Sequence, residues 1–262
     1  MIFIRATRYL KYLLLSRHRN GHGIHSPFVY DLITRVFGNK IDPAIVCTIE
    51  TIREKMISDQ RSIIMNDLGT GSEKLKTNLR KVSQIARNAP VPEKYGILLS
   101  KLAAEFGAPL IIEFGTSLGI STMYMASACP GAKVKTIEGS PSVAEIAVEN
   151  FSEAGISNVE VITGSFEEVL PGIINDNIKP GLVFIDGNHR KEPVFRYFTQ
   201  IAKFAGRKTV IIIDDINYSK EMEEAWEEIK KSDKVTVTVD IHRMGIVFFR
   251  EGIAHNDYII RY

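Results

Sequence analysis

LIIEFGTSLGIS, residues 110–121, is the stretch from which the fold can be read. Leu110, Ile111, Ile112 and Phe114 make a short, nearly all-apolar run, the composition of a strand buried on both faces. Gly115 and Gly119 then turn the chain, and a helix is expected to open near Ser121. Glycines at such a turn let the backbone come close to a ligand, and the free N–H groups of the helix start face it. In open α/β sheets this place, outside the carboxyl ends of the strands, is where ligands bind.

The same alternation repeats downstream. PLIIEF is followed by AKVKTIE, VEVIT, GLVFID and KTVIIID, all short β-branched runs. Helix-compatible stretches separate or follow them: MYMASAC, SVAEIAVENFSEAG, FEEVLPGII, EPVFRYFTQIAKFA and MEEAWEEIKK. Strands alternating with helices imply a parallel sheet covered on both faces. The ending departs from this, because VTVTVDIHR and MGIVFFR are separated by very little and read as an antiparallel pair. The expected fold is therefore α/β, a doubly wound sheet of about seven strands finished by an antiparallel hairpin.

Upstream the pattern is helical. Ile45, Ile49, Ile52 and Met56 form one apolar stripe after Pro43, and Leu79, Val82, Ile85 and Ala86 suggest another helix. Ser26-Pro27 is placed to open a third. Pro90-Val91-Pro92 disfavours helix continuation, so the chain is expected to divide into a helical extension, residues 1–90, and a core, residues 91–262.

Composition narrows the class. With 45% hydrophobic and 24% charged residues over 262 positions, the chain has the make-up of a folded globular protein and not of a disordered one. No apolar run approaches the ~18 residues of a membrane span. Charges interrupt MIFIRATRYLKYLLLSRHR, and no small-residue cleavage site follows, so no signal peptide is expected. Cys47 and Cys129 are far apart, which argues against a disulfide framework or a thiolate zinc site and makes the cytoplasm the expected location. The net charge is only +2, but Arg5, Arg8, Lys11, Arg17, Arg19, Arg35 and Lys40 face the single acid Asp31 near the N-terminus. Such an arm serves nucleic acid, an anionic membrane surface or an acidic neighbour, or is simply a solvated helix face.

Glu138 ends the next strand about twenty residues beyond the glycine turn, the place of an acid that holds ribose hydroxyls. A dinucleotide-binding domain shares both features. Three points separate this chain from that class: the G-x-x-x-G spacing, the acid Glu113 two residues before the turn, where it could meet a cationic amino group, and the terminal hairpin. Asp186, in GLVFIDGNH, is expected at the carboxyl end of a strand, facing the crevice. Asp214 and Asp215 end the following strand, so three carboxylates could converge. Hard oxygen ligands of this kind suit Mg²⁺, Mn²⁺ or Ca²⁺; otherwise Asp186 shapes the ligand site and Asp214 caps a loop. His189, three residues beyond Asp186, is either a proton carrier suited to neutral pH or a structural histidine.

Three other features carry less. Asp67-Leu-Gly-Thr-Gly-Ser72 also resembles a ligand turn, but no strand ending in an acid follows it, so an ordinary loop is expected. His18, His22 and His25 lack a fourth ligand for a transition metal and suit polar loops. Trp226, among acids on a helix, is expected to pack.

EFGTSLGIS, TIEGS, TGSFEEVL, FIDGNH and IIIDDI, in that order and spacing, resemble the class I S-adenosylmethionine-dependent methyltransferases of the catechol O-methyltransferase-like group, over roughly residues 91–250. HGIHSPFVYDL is similar to N-terminal extensions of bacterial methyltransferases, and a lid or substrate cap is expected of it. The resemblance implies a Rossmann-like fold and S-adenosylmethionine (SAM) as methyl donor. Glu113, Gly115, Thr116, Ser117 and Gly119 would surround its methionine part, with Ser121, Gly139 and Asp186 in the same donor-binding set. Glu138 would hold the ribose, and Ser165 and Phe166 would border the adenine. Ser117 stands where many members have a glycine. In the family, the positions of Asp186, Asp214 and Asp215 hold a divalent ion that orients the acceptor hydroxyl, and His189 stands where catechol-type enzymes carry a lysine base. Asn188 stands where some metal-dependent sugar-modifying relatives have an acid. The implied function is O-methylation of a small hydroxylated acceptor, with a divalent cation optional. The alternatives are an RNA or protein acceptor, supported by the basic arm, and a donor-binding protein without catalysis. Against base N-methylation, Asp186 is followed by Gly-Asn-His and not by an Asn-Pro-Pro run.

Overall fold

A computed structural model of the chain describes residues 2–16, 21–65, 79–88, 90–174 and 178–262, with side chains from residue 7 onward. In chain order the elements begin with α1 (Ile2–Leu15), α2 (Pro27–Asp31, continuing as a π-helical turn over Leu32–Val36), α3 (Pro43–Ser58), β1 (Ser62–Ile64), β2 (Leu79–Lys81), α4 (Val82–Asn88) and α5 (Glu93–Phe106). Strands and helices then alternate: β3 (Leu110–Phe114), α6 (Ile120–Ala128), β4 (Lys133–Glu138), α7 (Pro141–Glu153), β5 (Val159–Thr163), α8 (Phe166–Ile173) and β6 (Leu182–Ile185). The series ends with α9 (Lys191–Phe204), β7 (Val210–Ile213), α10 (Lys220–Lys230), β8 (Val237–Asp240), β9 (Gly245–Phe248) and β10 (Asn256–Ile259). Helix starts follow the sequence signals. Ser26 caps α2, Asp42 caps α3 ahead of Pro43, and Ser219 caps α10, each side chain accepting a backbone N–H of the first turn. The Asp67–Ser72 turn and His18 lie outside the described residues.

The chain forms two compact units, Lys40–Ile178 and Met1–Asn39 together with Lys179–Tyr262. In the first, β3, β4 and β5 run parallel, with Phe114 opposite Ile137 and Glu138 opposite Thr163. Every residue of β3 is buried, as its apolar run required. The stripe on α3 is buried at Ile49, Ile52 and Met56. Gly96 of α5 lies against the Tyr124 ring of α6, with no room for a Cβ. The expected helix at Leu79 begins later. Leu79–Lys81 pairs antiparallel with Ser62–Ile64, and Val82 N donates to Arg61 O (3.0 Å) and Ser83 N to Asp59 O (3.0 Å). With its backbone held in that ladder, Leu79 is left exposed and the helix starts at Val82.

In the second unit β6 and β7 are parallel, with Ile185 opposite Ile213. β9 is antiparallel to both β7 and β8, which is the expected terminal hairpin. β10, which the sequence did not announce, adds a strand parallel to β8. Tyr12 of α1 donates its hydroxyl to Ile260 O just beyond it (2.8 Å). Trp226 is 3% exposed and packs flat enough on β9 that Gly245 has no space for a side chain.

Candidate functional site

The parallel register of β3 and β4 brings the chain out of β3 beside the last residue of β4, Glu138. Gly115 N and Thr116 N both donate to Ile137 O (3.0 and 3.1 Å). Gly115 and Gly119 take φ of +96° and +85°, and Ser117 takes +47°. The first two need glycine, because a Cβ there strains the backbone. Gly119 N donates to Thr116 O (2.9 Å), closing the turn ahead of α6. Glu138 is half-buried, accepting from Ser117 N at Oε2 (2.8 Å) and from Ser140 N at Oε1 (3.0 Å). Gly139 lies between these contacts, and Gly164 N donates to Glu138 O (3.0 Å). Ser165 caps α8 through a reciprocal pair with Glu168. The half-buried Phe166 ring stands edge-on to Phe114 with centroids 5.2 Å apart. Gly115, Thr116, Ser117, Gly119, Glu138, Gly139, Ser165 and Phe166 are thus gathered around the carboxyl ends of three strands.

Glu113 does not open onto this turn. Its side chain is fully buried and accepts from Ser121 Oγ (2.5 Å), Thr136 Oγ1 (2.7 Å) and Thr122 Oγ1. Thr136 is its register partner on β4, and the other two hydroxyls come from the first turn of α6. Burial pushes the Glu113 carboxyl up to about 7, against the three hydroxyls that hold it down and with a smaller push from Glu138. Glu113 and Ser121, both expected at the ligand, are bonded to each other inside the core. They fix the turn from beneath.

In the other unit, Asp186 follows β6 and Asp214 follows β7 at the same level, and Asp214 N donates to Ile185 O (3.0 Å). Asn188 (φ +54°) bends the chain so that His189 Nε2 lies 3.6 Å from Asp186 Oδ1, both side chains partly exposed. Asn188 Oδ1 accepts from Arg190 Nε (2.9 Å). Asp215 (φ +54°) turns the chain after β7, in the left-handed region that aspartate tolerates. Asp214 is 0% exposed, and both its oxygens accept from Arg243, Nε–Oδ1 at 2.9 Å and Nη2–Oδ2 at 2.7 Å. Asp215 Oδ1 lies 3.7 Å from the same Nη2. Burial raises the Asp214 pKa, with Asp215 adding to it and Arg243 opposing. Burial works against the charge on Arg243, but the bond to Asp214 and the charges of Asp214, Asp215 and Asp186 together outweigh it and raise its pKa.

Asp186, Asp214 and Asp215 are not gathered as one metal-holding group. Among the described residues no set of three or more His, Cys, Asp or Glu side chains is placed to hold an ion. The donor chemistry agrees, since the buried carboxylate has both oxygens committed to a guanidinium. Sequence reading missed Arg243, whose pairing follows from the β7–β9 register. With Ile213 opposite Gly245, the residues after the one strand meet the residues before the other. It also missed Thr136 and Thr122, which a strand-pairing argument at Glu113 would have found.

Comparison with known proteins agrees with this architecture. Residues 112–216 match the family described as Methyltransferase domain. A catechol O-methyltransferase from Niastella koreensis is 33% identical over 129 residues, covering 48% of this chain and 58% of that protein. Another from Mycobacterium tuberculosis is 34% identical over 128 residues, covering 48% of this chain and 56% of that one. The chain thus spans little more than half the length of these relatives. Among solved structures, the O-methyltransferase TomG from Streptomyces achromogenes, involved in tomaymycin synthesis and in complex with SAM, aligns with a TM-score of 0.55 at 22% identity, over 85% of this chain and 95% of that one. An O-methyltransferase from Bacillus cereus in complex with SAH aligns with a TM-score of 0.54 at 23% identity, over 84% and 97%. The fold is the Rossmann-like α/β fold of these structures. Together the matches make the segment around residues 112–216 similar to class I methyltransferase domains, with the named relatives in the catechol O-methyltransferase group.

Proposed function

We propose that the protein transfers the methyl group of S-adenosylmethionine to a hydroxyl of a small acceptor. The observation that carries this reading is Glu138, held at the end of β4 by the N–H groups of Ser117 and Ser140 beside a left-handed glycine turn. A half-buried carboxylate fixed in this way suits a vicinal diol. Phe166 and Ser165, at the start of α8, suit a flat base. These residues fit the donor, which supplies an electrophilic methyl group when bound. Gly115, Thr116, Ser117 and Gly119 border its amino-acid end, and Glu113 with Ser121 keeps that border in shape. Asp186 orients His189, and His189 takes the acceptor's hydroxyl proton. We read residues 1–90 as an extension that shapes acceptor choice ahead of the catalytic residues 91–262. Tyr9 and Tyr12 of α1 support this, since both pack on His242, the neighbour of Arg243, with centroids 5.1 Å away.

The test is calorimetry with S-adenosylhomocysteine joined to methyl-transfer assays over catechols and phenols. Glu138→Ala is expected to weaken product binding roughly 10- to 100-fold, the worth of charged hydrogen bonds. His189→Ala is expected to lower kcat about 10²- to 10⁴-fold and leave product binding unchanged. A wild-type chain that binds no S-adenosylhomocysteine overturns the reading.

A further inference from the structure

We propose that Arg243 is the built-in cation of the carboxylate cluster after β6 and β7, standing where a divalent metal would otherwise sit. The inference rests on the methyl-transfer reading and specifies how that chemistry is run: without a metal ion. Three observations carry it. Arg243 approaches Asp214 with two nitrogens, Nε at 2.9 Å from Oδ1 and Nη2 at 2.7 Å from Oδ2, the fork geometry that fills a carboxylate's strongest acceptor positions. The same Nη2 is 3.7 Å from Asp215 Oδ1, so one guanidinium serves both acids that follow β7. Finally, the backbone locks the arrangement: Ile216 N donates to Arg243 O (3.1 Å), and Asn217 Nδ2 donates to His242 O (2.8 Å). The loop with the acids and the hairpin with the arginine are therefore tied at two further points.

A divalent ion needs several oxygens with lone pairs turned to one point. Asp214 turns its two best acceptor positions to Arg243, and the guanidinium charge opposes a second cation beside it. A quarter of the Arg243 side chain is exposed, as is a similar share of Asp215, so the paired charges border the surface where His189 and Asp186 also lie partly open. Arg243 acts as a positioning residue. It holds Asp214 and Asp215 in register and supplies the positive charge of the cluster.

Manganese binding, followed by electron paramagnetic resonance and calorimetry on the full chain, tests this directly. The wild type is expected to take up no stoichiometric Mn²⁺ at millimolar concentration. Arg243→Met is expected to gain one Mn²⁺ per chain, and Asp214→Asn added to it is expected to abolish the gain. Arg243→Lys, which keeps a charge, serves if the methionine variant does not fold; it should bind Mn²⁺ no better than wild type. Where transfer is measurable, EDTA should change the rate less than twofold. Stoichiometric Mn²⁺ on the wild type that Asp214→Asn removes, or a folded Arg243→Met chain that takes up none, overturns the proposal. S-adenosylhomocysteine binding, run in parallel, separates its failure from that of the methyl-transfer reading.

Discussion

The loops after β3 and β4, in one unit, and the loops after β6 and β7, in the other, are each ordered internally, by different electrostatic means. At the first, Glu113 is met by the hydroxyls of Ser121, Thr122 and Thr136, and Glu138 by the N–H groups of Ser117 and Ser140. These donors are neutral, so they order the two carboxyl groups without bringing a counter-charge to either. At the second, Asp214 and Asp215 share the full charge of Arg243. Neutral donors bring no counter-charge to Glu138, which suits a ligand that carries positive charge. A guanidinium offsets part of the negative field and ties the two acids to the hairpin. The same residue type, an acid at a strand's end, is thus prepared for different work by what faces it.

The largest effect is expected where that difference is erased. Arg243→Ala leaves Asp214 buried without its partner, a change that typically costs about 3–5 kcal/mol. Asp214→Asn combined with it is expected to cost clearly less than the two single losses added, because the double variant leaves no buried charge unpaired. Urea unfolding of the four chains measures this. Simple additivity would mean that the fork observed between Arg243 and Asp214 does not hold the hairpin to the loop.

Glu113 is the counterpart at the first turn, and its signature is a pH slope. Its folded pKa, about 7, lies above its ordinary 4.5, so between those values the folded chain holds a proton that the unfolded chain has lost. Stability therefore falls as pH rises through that window and levels off above it, by about 3 kcal/mol for a shift of this size. Glu113→Gln keeps the side chain neutral throughout. The stability difference between wild type and this variant should change by about 2–3 kcal/mol between pH 5 and pH 8. A constant difference would show that the three hydroxyls offset burial and keep the carboxylate charged across this range.

Much of this was legible beforehand, and the parts that were not share a cause. β3, its turn and α6 could be read because an apolar run, two glycines and a helix start are local signals. Glu138 could be read from its distance along the chain. The direction of Glu113 could not, because it depends on Thr136 lying opposite it across β4. Arg243 was missed for the same reason, since only the register of β9 on β7 brings it to Asp214. Leu79 carried a helical spacing that was overridden by pairing with Ile64. β10, short and polar at Asn256 and Asp257, has too little periodicity to announce a strand. Pairings between distant segments decide which acids are opened and which are sealed.

The smallest effects are expected within the glycine turn, where the two left-handed residues of unlike type give opposite outcomes. At Gly119 (φ +85°), a Cβ would come 2.5 Å from Phe151 Cε1, so Gly119→Ala brings both backbone strain and a clash with a ring. The cost is expected to be about 1–3 kcal/mol. Ser117 (φ +47°) lies at the edge of the small left-handed region open to ordinary residues, and its N–H still reaches Glu138. Ser117→Gly relieves some strain but frees the unfolded chain, and these contributions of up to about 1 kcal/mol each oppose one another. Thermal unfolding should show Ser117→Gly within about 0.5 kcal/mol of wild type. A clear gain at Ser117 would mean that the serine is kept at a cost to the fold, which would place its hydroxyl, and not only its N–H, among the groups that meet the ligand.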